Sequence, residues 1–211
     1  MASNMSGVSN MYLSSKLKNA VINILLSNEN FVEVVNPKPS ECEELDLMDV
    51  MVGGDFYVDG KKIHEDGYIY DYNFVTDTTE DKRTYTFVET ACQYVQENVY
   101  VDMDLYVCVF SEKSIIRLDE NSTPNTKRIN EMGYFCGRFG NRVDVLLDIV
   151  DGLINGNPSL GVVMDIVPAG RDHITIFQPS YHYYGKVLKY RVRMYNEMGG
   201  IGCGLQPRDS L

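Results

Sequence analysis

Asp102 and Asp104 are the pair whose spacing most invites chemistry. Two residues apart on a strand pattern, they share one face, and paired carboxylates can hold Mg²⁺ for a metal-dependent nucleic-acid-processing enzyme. Tyr100 and Tyr106 flank them, a wet-face setting that fits solvent or a subunit contact better than a metal ion. His64, His173 and His182 share no metal spacing and read as surface histidines. Five cysteines (Cys42, Cys92, Cys108, Cys136, Cys203) are scattered, with no C-x-x-C pair. They read as buried or semi-buried thiols and not as a zinc site or disulfide framework. Ser114 and Ser180 lack a nucleophile-elbow setting, and the glycines of 199–204 precede no helix that could complete a phosphate cradle. No metal or cofactor is expected, and no catalytic residue is assigned.

A second arrangement of charge concerns contact and not catalysis. Asp144, Asp148 and Asp151 fall at i, i+4 and i+7, on one face of a helix. Lys189, Arg191 and Arg193 alternate along a strand pattern, a basic stripe in an acidic chain. The bland reading of each is a solvated face. The sharper one is that the acids of one copy meet the cations of the next, as a head-to-tail ring needs.

The elements that position these residues follow from periodicity. Val143, Leu146, Leu147, Val150, Leu153 and Ile154 form one apolar stripe, so a helix spans 141–156, capped by Asn141 and stopped at Asn155-Gly156. Leu13, Leu17, Ala20, Val21, Ile24 and Leu25 predict a helix over 12–27. Residues 31–35 read as a short β-like run, and 40–50 as an acidic helix capped by Ser40 or a solvated loop, the helix preferred. Asp59-Gly60 marks a hairpin within a tyrosine-rich excursion over 51–74. Its Tyr57, Tyr68, Tyr70 and Tyr72 are candidate partner contacts.

Two long strands follow at 84–96 and 99–110; the second alternates strictly, with Val101, Met103, Leu105, Val107 and Val109 on the apolar face. Further strands are expected over 160–166, 174–176 and 188–194. The predicted fold is α+β: a mostly antiparallel sheet with two helices packed on one face, in the order α-β-β-α-β-β-β. It forms a single domain over 1–211, with an N-terminal arm (1–11), an acidic segment and hairpin excursion (40–75) and a flexible C-terminal tail (197–211).

At 211 residues, with 44% hydrophobic and 23% charged residues, the composition is that of a water-soluble protein, and no membrane partner is expected. The N-terminus reads as lacking a signal peptide, so assembly in the cytosol is expected. A net charge of −11 argues against gripping nucleic acid by its phosphates, but not against a like-charged wall past which DNA slides.

Four stretches carry a family resemblance: Tyr72–Thr78 leading into Thr84–Glu89, Leu105–Lys113, Asn141–Gly156 and Tyr184–Tyr195. On these, the chain resembles neck, ring or tail-terminator proteins of tailed bacteriophages, most closely the ring proteins of crAss-like and related phages. The resemblance implies a structural virion protein of the head-to-tail connector, assembled in the host cytoplasm as a closed ring of identical subunits. Its partners would be copies of itself and neighbouring portal, neck or tail proteins, with genomic DNA passing through without sequence-specific binding. The competing classes are the metal-dependent enzyme built on Asp102 and Asp104, and a monomeric adaptor that takes a peptide at a sheet edge.

Overall fold

A computed structural model describes residues 10–35, 51–52, 56–58, 61–64, 67–72, 82–96, 100–118, 140–157, 160 and 163–195. The fold is α+β, with a mixed, mostly antiparallel six-stranded sheet and three helices among the described residues. Helix α1 (Asn10–Leu26) buries Leu13, Leu17, Val21 and Leu25 of the predicted stripe, with Ala20 and Ile24 partly buried, and buries Ile22 from outside it.

The run expected as β-like is instead helix α2 (Glu29–Val35). The Asn28 side chain accepts a hydrogen bond from the Phe31 N–H (2.9 Å), a cap that starts the helix. Phe31, Val34 and Val35, at i, i+3 and i+4, then all point into the core. Capping and tertiary burial outweigh the β preference of the valines. The helix expected over 40–50 lies outside the described residues.

Strands β1 (Phe56–Val58) and β2 (Lys61–His64) form the expected hairpin, with Val58 opposite Lys61 across Asp59-Gly60. It is a two-stranded sheet of its own. The rest of the excursion departs from expectation. Strand β3 (Ile69–Tyr70) joins the main sheet in parallel, Ile69 opposite Thr86 and Tyr70 opposite Phe87 of β4 (Thr84–Gln96).

Beside β4 runs β5 (Tyr100–Glu112), and beside β5 runs β10 (Tyr183–Tyr195), paired along its whole length from Tyr183↔Glu112 to Tyr195↔Tyr100. The far side of β10 carries two short strands end to end. β8 (Val163–Pro168) covers Tyr190–Met194 and β9 (Ile174–Phe177) covers Gly185–Leu188. Between them the chain loops out through a 3₁₀ turn at Gly170–Asp172, where Gly170 takes φ +69°. A small pair, β6 (Arg117–Leu118) with β7 (Gly140–Asn141), leads into helix α3 (Arg142–Ile154).

Asn141 caps α3 by accepting from the Val143 N–H (3.0 Å), and Gly156 at φ +68° follows its end, as predicted. Val143, Leu146, Val150 and Ile154 are fully buried against Val101, Met103, Leu105, Val107 and Val109 of β5, together with α1 and α2. Each such side chain contributes roughly 1.5–3 kcal/mol through burial. Val145 and Ile149, off the predicted stripe, are buried too, because α2 also packs on α3.

The opposite face of the sheet is not simply wet. At one end Tyr70, Tyr85, Phe87, Cys108, Phe110 and Tyr183 form a second, aromatic core. Burial there pushes the Cys108 thiol far above its ordinary titration range.

Candidate interaction surface

Strand parity decides where every charged candidate points. On β10, Lys186, Leu188, Tyr190, Val192 and Met194 face the helices, so Lys189, Arg191 and Arg193 face away from them. The alternating residues of β5 place Asp102 and Asp104 on that same outer face, beside Arg193 and Arg191 in register. Asp144, Asp148 and Asp151 lie on α3, across the sheet. Within one subunit the acidic row and the basic stripe cannot meet.

Each patch finds most of its partners locally. Arg193 grips Asp102 with two hydrogen bonds, Nε to Oδ1 (2.7 Å) and Nη2 to Oδ2 (3.0 Å), and its guanidinium lies 5.9 Å from the Tyr100 ring. The hydrogen bond from Arg193 holds the Asp102 carboxyl below its ordinary range. Lys189 Nζ sits 2.7 Å from Asp104 Oδ2, and Tyr106 donates to the same oxygen (3.1 Å). Asp104, only 2% exposed, is thus a buried partner, and its hydrogen bond raises the Lys189 ammonium above its usual value. A divalent ion at Asp102 would have to displace a bidentate guanidinium, and one at Asp104 an ammonium and a phenol.

Arg191 is exposed and has no partner among the described residues. It lines an open depression of about 300 Å³ with Asp102, Asp165, Val167 and Arg193.

On the helix side, Lys186 Nζ lies 2.5 Å from Asp144 Oδ1, and this hydrogen bond raises the Lys186 ammonium above its ordinary range. Asp151 Oδ1 accepts from the Tyr190 hydroxyl (2.7 Å) and lies 3.2 Å from His173 Nε2, while His173 Nδ1 lies 2.8 Å from the Lys189 carbonyl. His173 is therefore not a free surface histidine. It ties the break between β8 and β9 to α3. Asp148, midway along the row, is exposed and has no partner among the described residues.

The sequence reading missed Lys186, Tyr190 and His173 as partners of the helix acids. Lys186 could have been found, since it has the parity of the apolar residues of β10. The tyrosines divide: Tyr70 is buried in the aromatic core, its hydroxyl donating to the Gly67 carbonyl (3.1 Å), because β3 enters the sheet there. Tyr68 is half-buried with its ring 5.6 Å from the Arg83 guanidinium. Tyr72 remains 50% exposed, and the Tyr57 side chain lies outside the described residues.

A family model named YomW matches residues 28–192, from the cap of α2 through most of β10. The chain belongs to the YomW family. It is thereby a phage-associated protein. The YomW match takes in the sheet as far as Val192 of β10, and α3, including Asp148 and Arg191. No curated protein matches the chain. Among the described residues of this YomW protein, no helix is long and apolar enough to cross a membrane, and no group of three His, Cys, Asp or Glu is placed to hold a metal ion.

Proposed function

We propose that this YomW-family protein is a structural component of a phage virion that assembles head to tail with copies of itself. The closed ring so formed sits in the neck between portal and tail and lines the channel for the genome. One observation carries the reading: Asp148 on α3 and Arg191 on β10 are charges of opposite sign, on opposite faces of one sheet, that no described residue matches. Neither can satisfy the other within a chain. A translation-and-rotation that stacks the helix face of one copy on the outer face of the next satisfies both at every joint. The net charge of −11 supports the passage of DNA without adhesion. The neck position itself rests on the resemblance of the four stretches above, together with the phage-associated family.

The mass of the purified protein in solution, by light scattering at low salt, tests it. A discrete multimer is expected, weakened by salt and by Arg191→Glu or Asp148→Lys alone, and partly restored when the two substitutions are combined. A clean monomer at high protein concentration and low salt sinks the reading.

A further inference from the structure

Both ring nitrogens of His173 lie against atoms that have no proton to give. Nδ1 is 2.8 Å from the Lys189 carbonyl oxygen, which also accepts the Ala169 N–H (3.0 Å). Nε2 is 3.2 Å from Asp151 Oδ1, which also accepts the Tyr190 hydroxyl (2.7 Å). Tyr190 stays a donor, because burial, and then the bond to Asp151, raise its phenol above the ordinary tyrosine range. A neutral imidazole has one N–H and one bare nitrogen. In either tautomer the bare nitrogen would face an oxygen lone pair at hydrogen-bond distance. With Asp151 as a carboxylate, the form of the ring that bonds both partners is the imidazolium, which has an N–H on each side.

The place of the ring gives this proton a structural task. His173 closes the 3₁₀ turn that breaks the sheet edge between β8 and β9, where Gly170 bends the chain at φ +69°. The backbone alone fastens that turn to β10: Ala169 donates to the Lys189 carbonyl, and Lys189 donates to the His173 carbonyl (2.8 Å). What fastens it to α3, among the described residues, is the His173 ring on Asp151. The titratable groups around the ring are Asp151 and, about one turn back, Asp148 on α3, Tyr190 on β10, and Arg171 and Asp172 in the turn. The Lys189 ammonium is on the other face with Asp104, and Lys186 is held by Asp144.

We infer that His173 is a proton-operated clasp, closed while its ring carries two protons and open once Nε2 loses its own. The proton on Nδ1 stays, because a bare Nδ1 would face the Lys189 carbonyl at the shorter of the two distances. A bare Nε2 and the Asp151 carboxylate repel. The turn then keeps its backbone bonds to β10 and releases α3, while Asp151 retains the Tyr190 hydroxyl. The clasp lies within one chain, so it stands apart from the self-assembly proposed above.

The test is a titration of the parent protein, labelled with ¹⁵N in its histidines, upward from about pH 5. Loss of one signal in His173→Phe separates it from His64 and His182. Two ring N–H groups at the start, and a surviving N–H on Nδ1 after the transition, are expected. A single N–H at the start, or a survivor on Nε2, overturns the inference. Amide exchange in the turn, corrected for the intrinsic effect of pH, should quicken about tenfold when the proton leaves, as for the loss of one charge-assisted hydrogen bond. His173→Phe should exchange at the open rate at every pH. Asp151→Asn is the sharper variant, since its amide N–H can donate to a bare Nε2. It should hold the neutral ring and keep the turn protected across the titration. Asp151→Asn with the pH dependence of the parent, or His173→Phe as protected as the closed parent, overturns the clasp.

Discussion

The alternative reading of Asp102 as a metal ligand arises because two carboxylates two residues apart share a face. The fold gives that face a neighbouring strand whose cations stand in register with them, so Arg193 takes the place an ion would fill. The consequence is a defined dependence on pH. The folded-state pKa of Asp102 lies below its unfolded value, so between the two values the native chain binds fewer protons than the unfolded one. The pair therefore stabilises the protein above about pH 4 and loses that contribution as the pH falls further. Urea midpoints should show Asp102→Asn less stable than the parent protein at neutral pH, with the gap closing in acid; a gap that widens contradicts the assignment. Gly185 acts by absence of a side chain. A Cβ there would collide with the Phe110 side chain and the Val109 carbonyl on β5, so Gly185→Ala forces β10 away from its partner. A loss of about 1–3 kcal/mol is expected from denaturant unfolding.

Among the elements, α2 shows where reading by residue type fails. Its Phe-Val-Glu-Val-Val run suits a strand, and what makes it helical is a cap at Asn28 and a site for its end. Arg142 supplies that end. Buried at 3% exposure, it donates from Nη1 to the Val34 carbonyl (2.5 Å) and from Nε to the Ile115 carbonyl (3.0 Å). Burial pulls its pKa down to about 10, so it stays charged at neutral pH. A cation in the first turn of α3 opposes that helix's dipole, and this misplacement was the one sequence signal that Arg142 serves another element. The carbonyls at the C-terminal end of α2 are where a cation is favoured. Arg142→Met should cost about 2–3 kcal/mol, read from guanidinium unfolding and accompanied by loss of helical dichroism from α2.

For the molecule as a whole, the α+β class was legible because β5 and α3 keep strict periods over long stretches. The opposite placement of the acidic and basic patches was equally present in the parity of β10. What periodicity could not supply was pairing. It did not show that β3 re-enters the sheet in parallel, that one edge strand is broken into β8 and β9, or that Lys186, Tyr190 and His173 claim two of the helix acids. Those depend on which strands become neighbours, and neighbours are set by the packed core. The two-faced sheet also fixes how the protein reports on itself. The chain has no tryptophan and 15 tyrosines. Tyr70, Tyr85 and Tyr183 lie on the outer face, with Tyr85 stacked 5.3 Å from Phe110, and among the described residues Tyr190 is the fully buried tyrosine on the helix side. Near-ultraviolet circular dichroism therefore reads chiefly the aromatic face, while far-ultraviolet dichroism at helical wavelengths reads the other. Two bands of one spectrum watch the two sides of a single sheet.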